Sequence, residues 1–336
     1  MNILLTGGTG YIGSHTAVSL LQANHQVFLL DNLKNSDISV IHSIKKITNK
    51  DPSFIKGDIR DTALLIQVIN SLKIEAIMHF AGLKSVGESV SHPLDYFNNN
   101  VGGTLSLLHA MEETGVNKLV FSSSATVYGD AQYLPIDERH PTNVTNPYGR
   151  TKLHIEEILK DLASANPSLR FVSLRYFNPI GAHESGLIGE SPNGIPNNLM
   201  PHIVAVAAQQ QPHLKVFGND YDTSDGTGVR DYIHVMDLAE GHVAALDHLL
   251  SCNEPFDIFN LGTGLGYSVL QMIKTFEKIC AKPIPYKFVA RRPGDIATCC
   301  ANPNKALKTL NWQTKRTLND MCASMWNFQI NAHQNQ

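Results

Sequence analysis

Tyr148 and Lys152 stand four residues apart in "NPYGRTK" (146–152), a spacing that puts both on one face of a helix. An ammonium beside a phenol favours the phenolate, so Lys152 is expected to draw the tyrosine pKa down from ~10 toward working pH. A phenol tuned in this way can take a proton from a hydroxyl and return it. Ser122, Ser123 and Ser124 close the apolar run "KLVFSSS" (118–124), and a serine hydroxyl there can hydrogen-bond the same substrate oxygen. Y-x-x-x-K alone arises often by chance, so the surrounding elements have to decide.

A second constellation lies at the start of the chain. "TGGTGYIG" (6–13) follows an apolar run and opens a helical pattern, with Gly7, Gly10 and Gly13 spaced by three. Glycines there allow a tight turn, let backbone approach a pyrophosphate and let helix pack close to strand. Free N–H groups at the helix start favour phosphate. Asp31 ends the next apolar run, 21 residues after Gly10. A carboxylate at that place accepts from ribose hydroxyls and repels a 2′-phosphate, which favours NAD over NADP; it also suits a turn cap in "LDNLKNS". Asp58, ending "SFIKGD" (53–58), suits either an adenine contact or a turn.

The elements that must position these groups alternate. Strand patterns at 3–6, 26–31, 53–58, 76–82, 118–124 and 170–178 are separated by helical stretches, among them 12–22, 63–72, 103–115 and 151–166. Such alternation predicts an α/β fold with a doubly wound parallel Rossmann sheet. Serines ending a strand then lie at the carboxyl edge, where such sheets bind ligands. After Asn178 the chain turns rich in Gly, Pro, Asn and Ser and reads as loop. The expected division is a dinucleotide domain over 1–177 and a smaller mixed α/β substrate domain over 178–336. Part of 233–262, which holds a helix and a strand, should return to the main sheet.

Composition narrows the function. The chain has 336 residues, 43% apolar and 17% charged, with a formal net charge of −3. That is globular, without the basic field that nucleic acid attracts. No apolar run reaches the ~18–20 residues a bilayer requires. The first residues read as a strand rather than a signal peptide, so a cytoplasmic location is expected. Five cysteines show no C-x-x-C spacing and no Cys/His cluster, against zinc and against a disulfide framework. For Cys299-Cys300, in "RRPGDIATCCANP" (291–303), a metal site, a redox switch and a pocket wall are the readings to separate.

Taken together, "TGGTGYIG", Asp31, "HFAGLKSVGESV" (79–90), "FSSSATVYG" (121–129), "NPYGRTK", "LRYFNPIGAH" (174–183), "GIPNNLMP" (194–201), "GTGVRDYIHVMDLA" (227–239) and "RRPGD" (291–295) resemble the extended short-chain dehydrogenase/reductase family. Within it they are most similar to the UDP-sugar 4-epimerases, from residue 2 to about residue 320. The resemblance implies a tightly held NAD, a homodimer, and interconversion of UDP-galactose and UDP-glucose through a 4-keto sugar with no net redox change. Tyr148 then takes the proton of the sugar 4-hydroxyl, Lys152 tunes Tyr148 and contacts the nicotinamide ribose, and Ser124 holds the 4-oxygen. By the same resemblance Tyr11, Ile12, Asn32, Asp58, Ile59, Phe80, Ala81, Lys84, Asn99, Ser122 and Phe177 line the NAD cleft with the glycines and Asp31. Arg230 and Arg292 would fork onto the UDP phosphates. Asn178, Asn198, Leu199, Phe217 and Asp295 would complete that site.

Two rivals follow. Nucleotide-sugar 4,6-dehydratases of the same family place Asp-Glu directly after the catalytic hydroxyl residue; here Ala125 and Thr126 follow Ser124, leaving elimination without its acid and base. A protein that only binds NAD would not need Ser124, Tyr148 and Lys152 together. The resemblance also sets Cys299 beside the sugar C2 substituent, where a tyrosine in some relatives closes the pocket. A small cysteine there leads to the expectation that UDP-GalNAc and UDP-GlcNAc are interconverted too. Gly102, where many relatives carry a larger residue, is expected to affect helix stability more than chemistry. The implied dimer contact uses helices near 93–115 and 151–166.

Overall fold

The computed structural model describes residues 1–191, 196, 198–292 and 295–334. Along the chain the strands are β1 (Asn2–Thr6), β2 (Gln26–Asp31), β3 (Ser53–Lys56), β4 (Ala76–His79), β5 (Lys118–Ser124), β6 (Arg170–Tyr176), β7 (Asn178–Ile180), β8 (Leu214–Phe217), β9 (Val229–His234), β10 (Phe256–Leu261), β11 (Gly266–Ser268), β12 (Tyr286–Val289) and β13 (Thr298–Cys299). The helices are α1 (Tyr11–Gln22), α2 (Ser39–Thr48), α3 (Thr62–Ser71), α4 (Val86–Ser91), α5 (Pro93–Tyr96), α6 (Gly103–Thr114), α7 (Pro147–Ala165), α8 (Leu199–Ala207), α9 (Val235–Ser251), α10 (Val269–Cys280), α11 (Asn304–Leu310) and α12 (Leu318–Gln334).

Seven strands form one sheet in the order β10-β6-β5-β4-β1-β2-β3, all paired in parallel. Strand periodicity sends Ile3, Leu5 and Leu29 into one core with residues of α1 and α9. It sends Leu4, Leu30, Ile77 and Phe121 into a second core with residues of α3, α6 and α7. Strands buried on both faces explain the near-continuous apolar runs. Strand order reverses between β1 and β4, the crevice where such sheets bind ligands. β10 joins the edge beside β6 after the chain has made its excursion through β7, β8 and β9, and a third core gathers Met200, Val216, Tyr232, Phe276 and Met325.

Several boundaries differ from the sequence reading, each for a local reason. α7 begins at Pro147 rather than 151, because the Asn146 side chain accepts from Gly149 N at 2.9 Å and Pro147 occupies the first helical position. β4 stops at His79, three residues early. The strand expected over 170–178 divides: β6 ends at Tyr176, and Asn178–Ile180 pairs instead with β9. A π-helical turn, Phe97–Gly102, precedes α6. Gly102 has room for a side chain there, whereas a Cβ on Gly103 would meet Ile59 Cδ1 at 2.3 Å; the close approach of α6 to Ile59 therefore depends on Gly103.

Candidate active site

The turn between β1 and α1 has the shape that a pyrophosphate needs. Gly7 has φ +69° and a Cβ there would stand 2.7 Å from Ala81 N; a Cβ on Gly13 would stand 2.4 Å from Gly7 O. Gly10 N-caps α1 without any side-chain hydrogen bond, which leaves the amide end of the helix to a ligand. Asp31 is buried, and its carboxylate accepts from Thr9 N (3.2 Å), Leu33 N (2.9 Å) and the Ser36 hydroxyl (3.1 Å). Turn capping and acceptance from ribose are thus compatible, since two carboxylate oxygens offer about four acceptor sites.

Around this turn most of the other expected cofactor residues fall at or just after the carboxyl ends of β2 to β6, with Tyr11 and Ile12 on α1 and Asn99 in the π-helical turn. Asn32 Nδ2 donates to Asp58 Oδ2 at 3.2 Å, and Asp58 is forked by Arg60 at 2.9 and 2.8 Å. That hydrogen bonding holds the Asp58 carboxyl well below its ordinary range. Ile59 lies under Gly103, and Phe80 packs on His242 with centroids 4.8 Å apart. Ala81 closes over Gly7, and Ile12 packs against the first core. Tyr11 donates to Gly181 O at 2.6 Å, and Asn99 Nδ2 reaches Asn100 Oδ1 at 3.0 Å. Lys84 pairs at 3.1 Å with the buried Glu190, which also accepts from Asn198 Nδ2 at 2.8 Å. Nothing in the sequence patterns pointed to Glu190 between these two.

Tyr148, Lys152 and the serines meet as expected, but not with the expected electrostatics. Lys152 is buried, donates to Ser122 O at 2.6 Å, and sits 4.9 Å from the Phe121 ring centroid and 5.9 Å from that of Tyr148. Burial draws its pKa down to about 8, against the opposing pull of Glu156. Burial also raises the Tyr148 pKa, and the Ser124 hydroxyl lowers it only in part. The expected fall of the tyrosine pKa is therefore corrected: removing the phenolate from water outweighs an ammonium whose proton is directed at a backbone carbonyl. Ser124 itself accepts from Thr126 N at 3.2 Å and from the Thr126 hydroxyl at 3.0 Å.

The residues expected to hold a nucleotide sugar share one cavity of about 150 Å³, lined by Asn178, Asn198, Leu199, Phe217, Arg230, Arg292 and Asp295. Lys215, Tyr232 and Val269 line it as well and were not anticipated, because nothing in their local patterns separates them from ordinary strand and helix residues. Inside, Arg292 lies 4.0 Å from the Phe217 ring centroid and Arg230 is ion-paired to Asp295. A larger cavity of about 770 Å³ opens elsewhere, among α1, α9 and α12. Its cations are already matched, Arg316 to Asp237 and Glu240 and Lys315 to Glu240.

Cys299 is outside that lining but close behind it. It pairs in register with Arg230 and packs against the cluster of Val127, Tyr128, Ile136 and Phe177, which continues to Ala125 beside Ser124. Burial pushes the Cys299 thiol up to about 12 and Cys300 to about 11, despite Arg230. Thiols so protonated are poor redox nucleophiles. Among the described residues no group of three or more His, Cys, Asp or Glu is placed to hold a metal. The structure thus places Cys299 in the packing behind the cavity and not in its described lining.

A Rossmann sheet with a glycine turn at its first crossover and a Ser-Tyr-Lys constellation at its carboxyl edge defines the short-chain dehydrogenase/reductase class. A family model described as GDP-mannose 4,6 dehydratase matches residues 4–325. A UDP-glucose 4-epimerase from Bacillus subtilis (strain 168) is 56% identical over 98% of this chain and 97% of its own. Two solved structures cover 100% of both chains: a UDP-glucose 4-epimerase from Stenotrophomonas maltophila with bound NAD and formylated UDP-arabinopyranose (TM-score 0.98, 49% identity), and one from Bifidobacterium longum with NAD+ and UDP (TM-score 0.96, 50% identity). The chain belongs to the extended short-chain dehydrogenase/reductase family, in its UDP-glucose 4-epimerase group. The dehydratase description of the family model does not carry over to the site, where Ala125 and Thr126 stand in place of an acid pair.

Proposed function

We propose that this protein is an NAD-dependent UDP-glucose 4-epimerase acting in the cytoplasm as a homodimer. The observation that carries the reading is the convergence of Ser124, Tyr148 and Lys152 beside a glycine turn that only a backbone without Cβ could form. NAD fits that cradle, with Asp31 toward its ribose and the α1 N-terminus toward its phosphates. When bound, it supplies a positively charged hydride acceptor that returns the same hydride. The unit built through residue 177, with α9 and β10, takes the dinucleotide; residues from 178 onward take the UDP-sugar.

Each side chain has a task in this reading. Ser124 holds the sugar 4-oxygen. Tyr148 takes the 4-hydroxyl proton as a 4-keto sugar forms and gives it back from the same position. Lys152 supplies the positive charge that makes proton loss from Tyr148 easier. Arg230 and Arg292 meet the diphosphate charge, with Asn178, Asn198, Leu199, Phe217 and Asp295 around the nucleotide. Cys299 packs behind the described cavity, and its small side chain, on the side where the resemblance sets the sugar C2 substituent, favours turnover of N-acetylated UDP-sugars as well. Support for the dimer comes from Val90, Leu94, Leu105 and Leu162, apolar side chains left exposed on α4 to α7, Leu94 at 82%. No helix among the described residues is long and apolar enough to cross a membrane.

The test is a pair of assays on purified protein without added NADH. UDP-galactose should be converted to UDP-glucose, and UDP-GalNAc to UDP-GlcNAc. Conversion of UDP-galactose alone would remove the wider specificity. Conversion of neither by protein that binds NAD would overturn the epimerase reading.

A further inference from the structure

The last three residues of β5 each engage one residue of α7, at successive helical turns. The Ser124 hydroxyl interacts with Tyr148. The Ser122 carbonyl accepts from Lys152 Nζ at 2.6 Å. The Ser123 hydroxyl donates to Glu156 Oε1 at 2.5 Å. Tyr148, Lys152 and Glu156 are spaced by four and so share one helix face. The first two are accounted for above; Glu156 is not. It is 3% exposed, where an unpaired carboxylate would be costly. Arg175 on β6 forks it at 3.0 and 2.6 Å and lies 4.7 Å from the Tyr128 ring centroid. Tyr128 continues the network by donating to Asn260 Oδ1 at 2.6 Å.

We infer that Glu156 is a positioning residue for the reaction, the buried anion that balances the Lys152 ammonium and clamps the end of β5 to α7. This inference rests on the proposed epimerase reading for its consequence but not for its geometry. The ionisable groups around Lys152 are few. Tyr148 and Glu156 face it from α7, and His79 faces it from β4, kept neutral at ordinary pH because burial draws its pKa down to about 3. Tyr176 on β6 interacts with Tyr148, and Arg175, also on β6, is ion-paired to Glu156. Glu156, on the same face of α7, is the carboxylate acting on Lys152, and its charge opposes the desolvation that draws the lysine pKa down.

Glu156→Gln alone leaves Arg175 buried without its partner, so misfolding is a foreseeable outcome. The decisive variant is E156Q/R175M, which removes both charges at similar volume. Two quantities are read: the titration of Lys152 by NMR with [13Cε]lysine, and the alkaline limb of kcat/KM for UDP-galactose. In E156Q/R175M the lysine should lose its proton at lower pH, with about tenfold less ammonium at a given alkaline pH, and the alkaline limb should move the same way. Glu156→Asp, which keeps the charge, should hold both near the parent position. A folded E156Q/R175M whose lysine titrates as in the parent would overturn the inference. If the lysine moves and no variant or parent turns over UDP-galactose, the electrostatic role stands and the epimerase reading fails instead. If E156Q/R175M does not fold, a Glu156→Asp lysine that titrates well below the parent overturns the charge-based role.

Discussion

At Tyr148 two demands conflict. Burial beside the sheet holds the phenol proton more firmly than water does, yet the proposed chemistry needs that proton to leave. Lys152 is kept close by the Ser122 carbonyl and is itself brought to a pKa of about 8, so it remains largely cationic at neutral pH and loses that charge above it. Tyr148→Phe keeps the ring and removes the acid-base oxygen. We expect kcat to fall by ~10²–10⁴ while UDP affinity, measured by calorimetry, stays within about twofold of the parent on the grounds that a phenol hydroxyl away from the nucleotide adds no binding. A variant turning over at the parent rate would remove Tyr148 from the mechanism. At Cys299 the small apolar side chain was legible from its type; its packing on Val127, Tyr128, Ile136 and Phe177 and the burial that keeps the thiol protonated were not, because those partners lie far away in the chain.

At the scale of elements, the β1–α1 crossover leaves no room for a side chain at Gly7 or Gly13. On Gly13 a methyl would meet Gly7 O at 2.4 Å and Gly8 Cα at 2.9 Å, backbone atoms that no rotamer change can move. Gly13→Ala should therefore weaken NAD binding by at least ~100-fold and lower the melting temperature, because helix and strand must separate to admit it. Unchanged NAD affinity by equilibrium dialysis would show that the close approach is not required. The glycine spacing in "TGGTGYIG" was readable at once; the start of α7 was not, because the amphipathic pattern begins at 151, past the Asn146 cap and Pro147 that start the helix. The division of 170–178 into two strands was not, since β6 and β7 read as one run and separate only because β9 captures Asn178–Ile180.

Across the whole molecule, four buried histidines tie stability to pH. His15 and His242 are drawn down to about 4, and His79 and His234 to about 3, each chiefly by burial. In the unfolded chain they titrate near ~6.5. Between that value and the folded values the unfolded state binds more protons, so stability falls as pH falls. The melting temperature should therefore drop progressively from pH 7 to pH 5 by calorimetry. A flat profile over that window would mean that these rings are protonated in the folded protein. Their sequence positions showed only scattered histidines; His79 is satisfied by Thr6 at 2.6 Å and Thr104 at 2.9 Å, partners far apart in the chain.

Local patterns were enough for the alternating elements, the glycine turn, the Tyr148–Lys152 face and the serine-ended strand, because each depends on neighbours within a few residues and on backbone geometry. Beyond Asp31, Asp58 and Asp295, which further carboxylates enter the site was decided by tertiary structure alone. Glu156 lies on the same helix face as Tyr148 and Lys152, yet its burial and its fork to Arg175 exist only because β6 packs under α7. Glu190 joins Lys84 to Asn198 from a stretch that reads as loop. Charge balance inside a protein is set by who is desolvated together, and that is a property of the packed chain, not of its spacing.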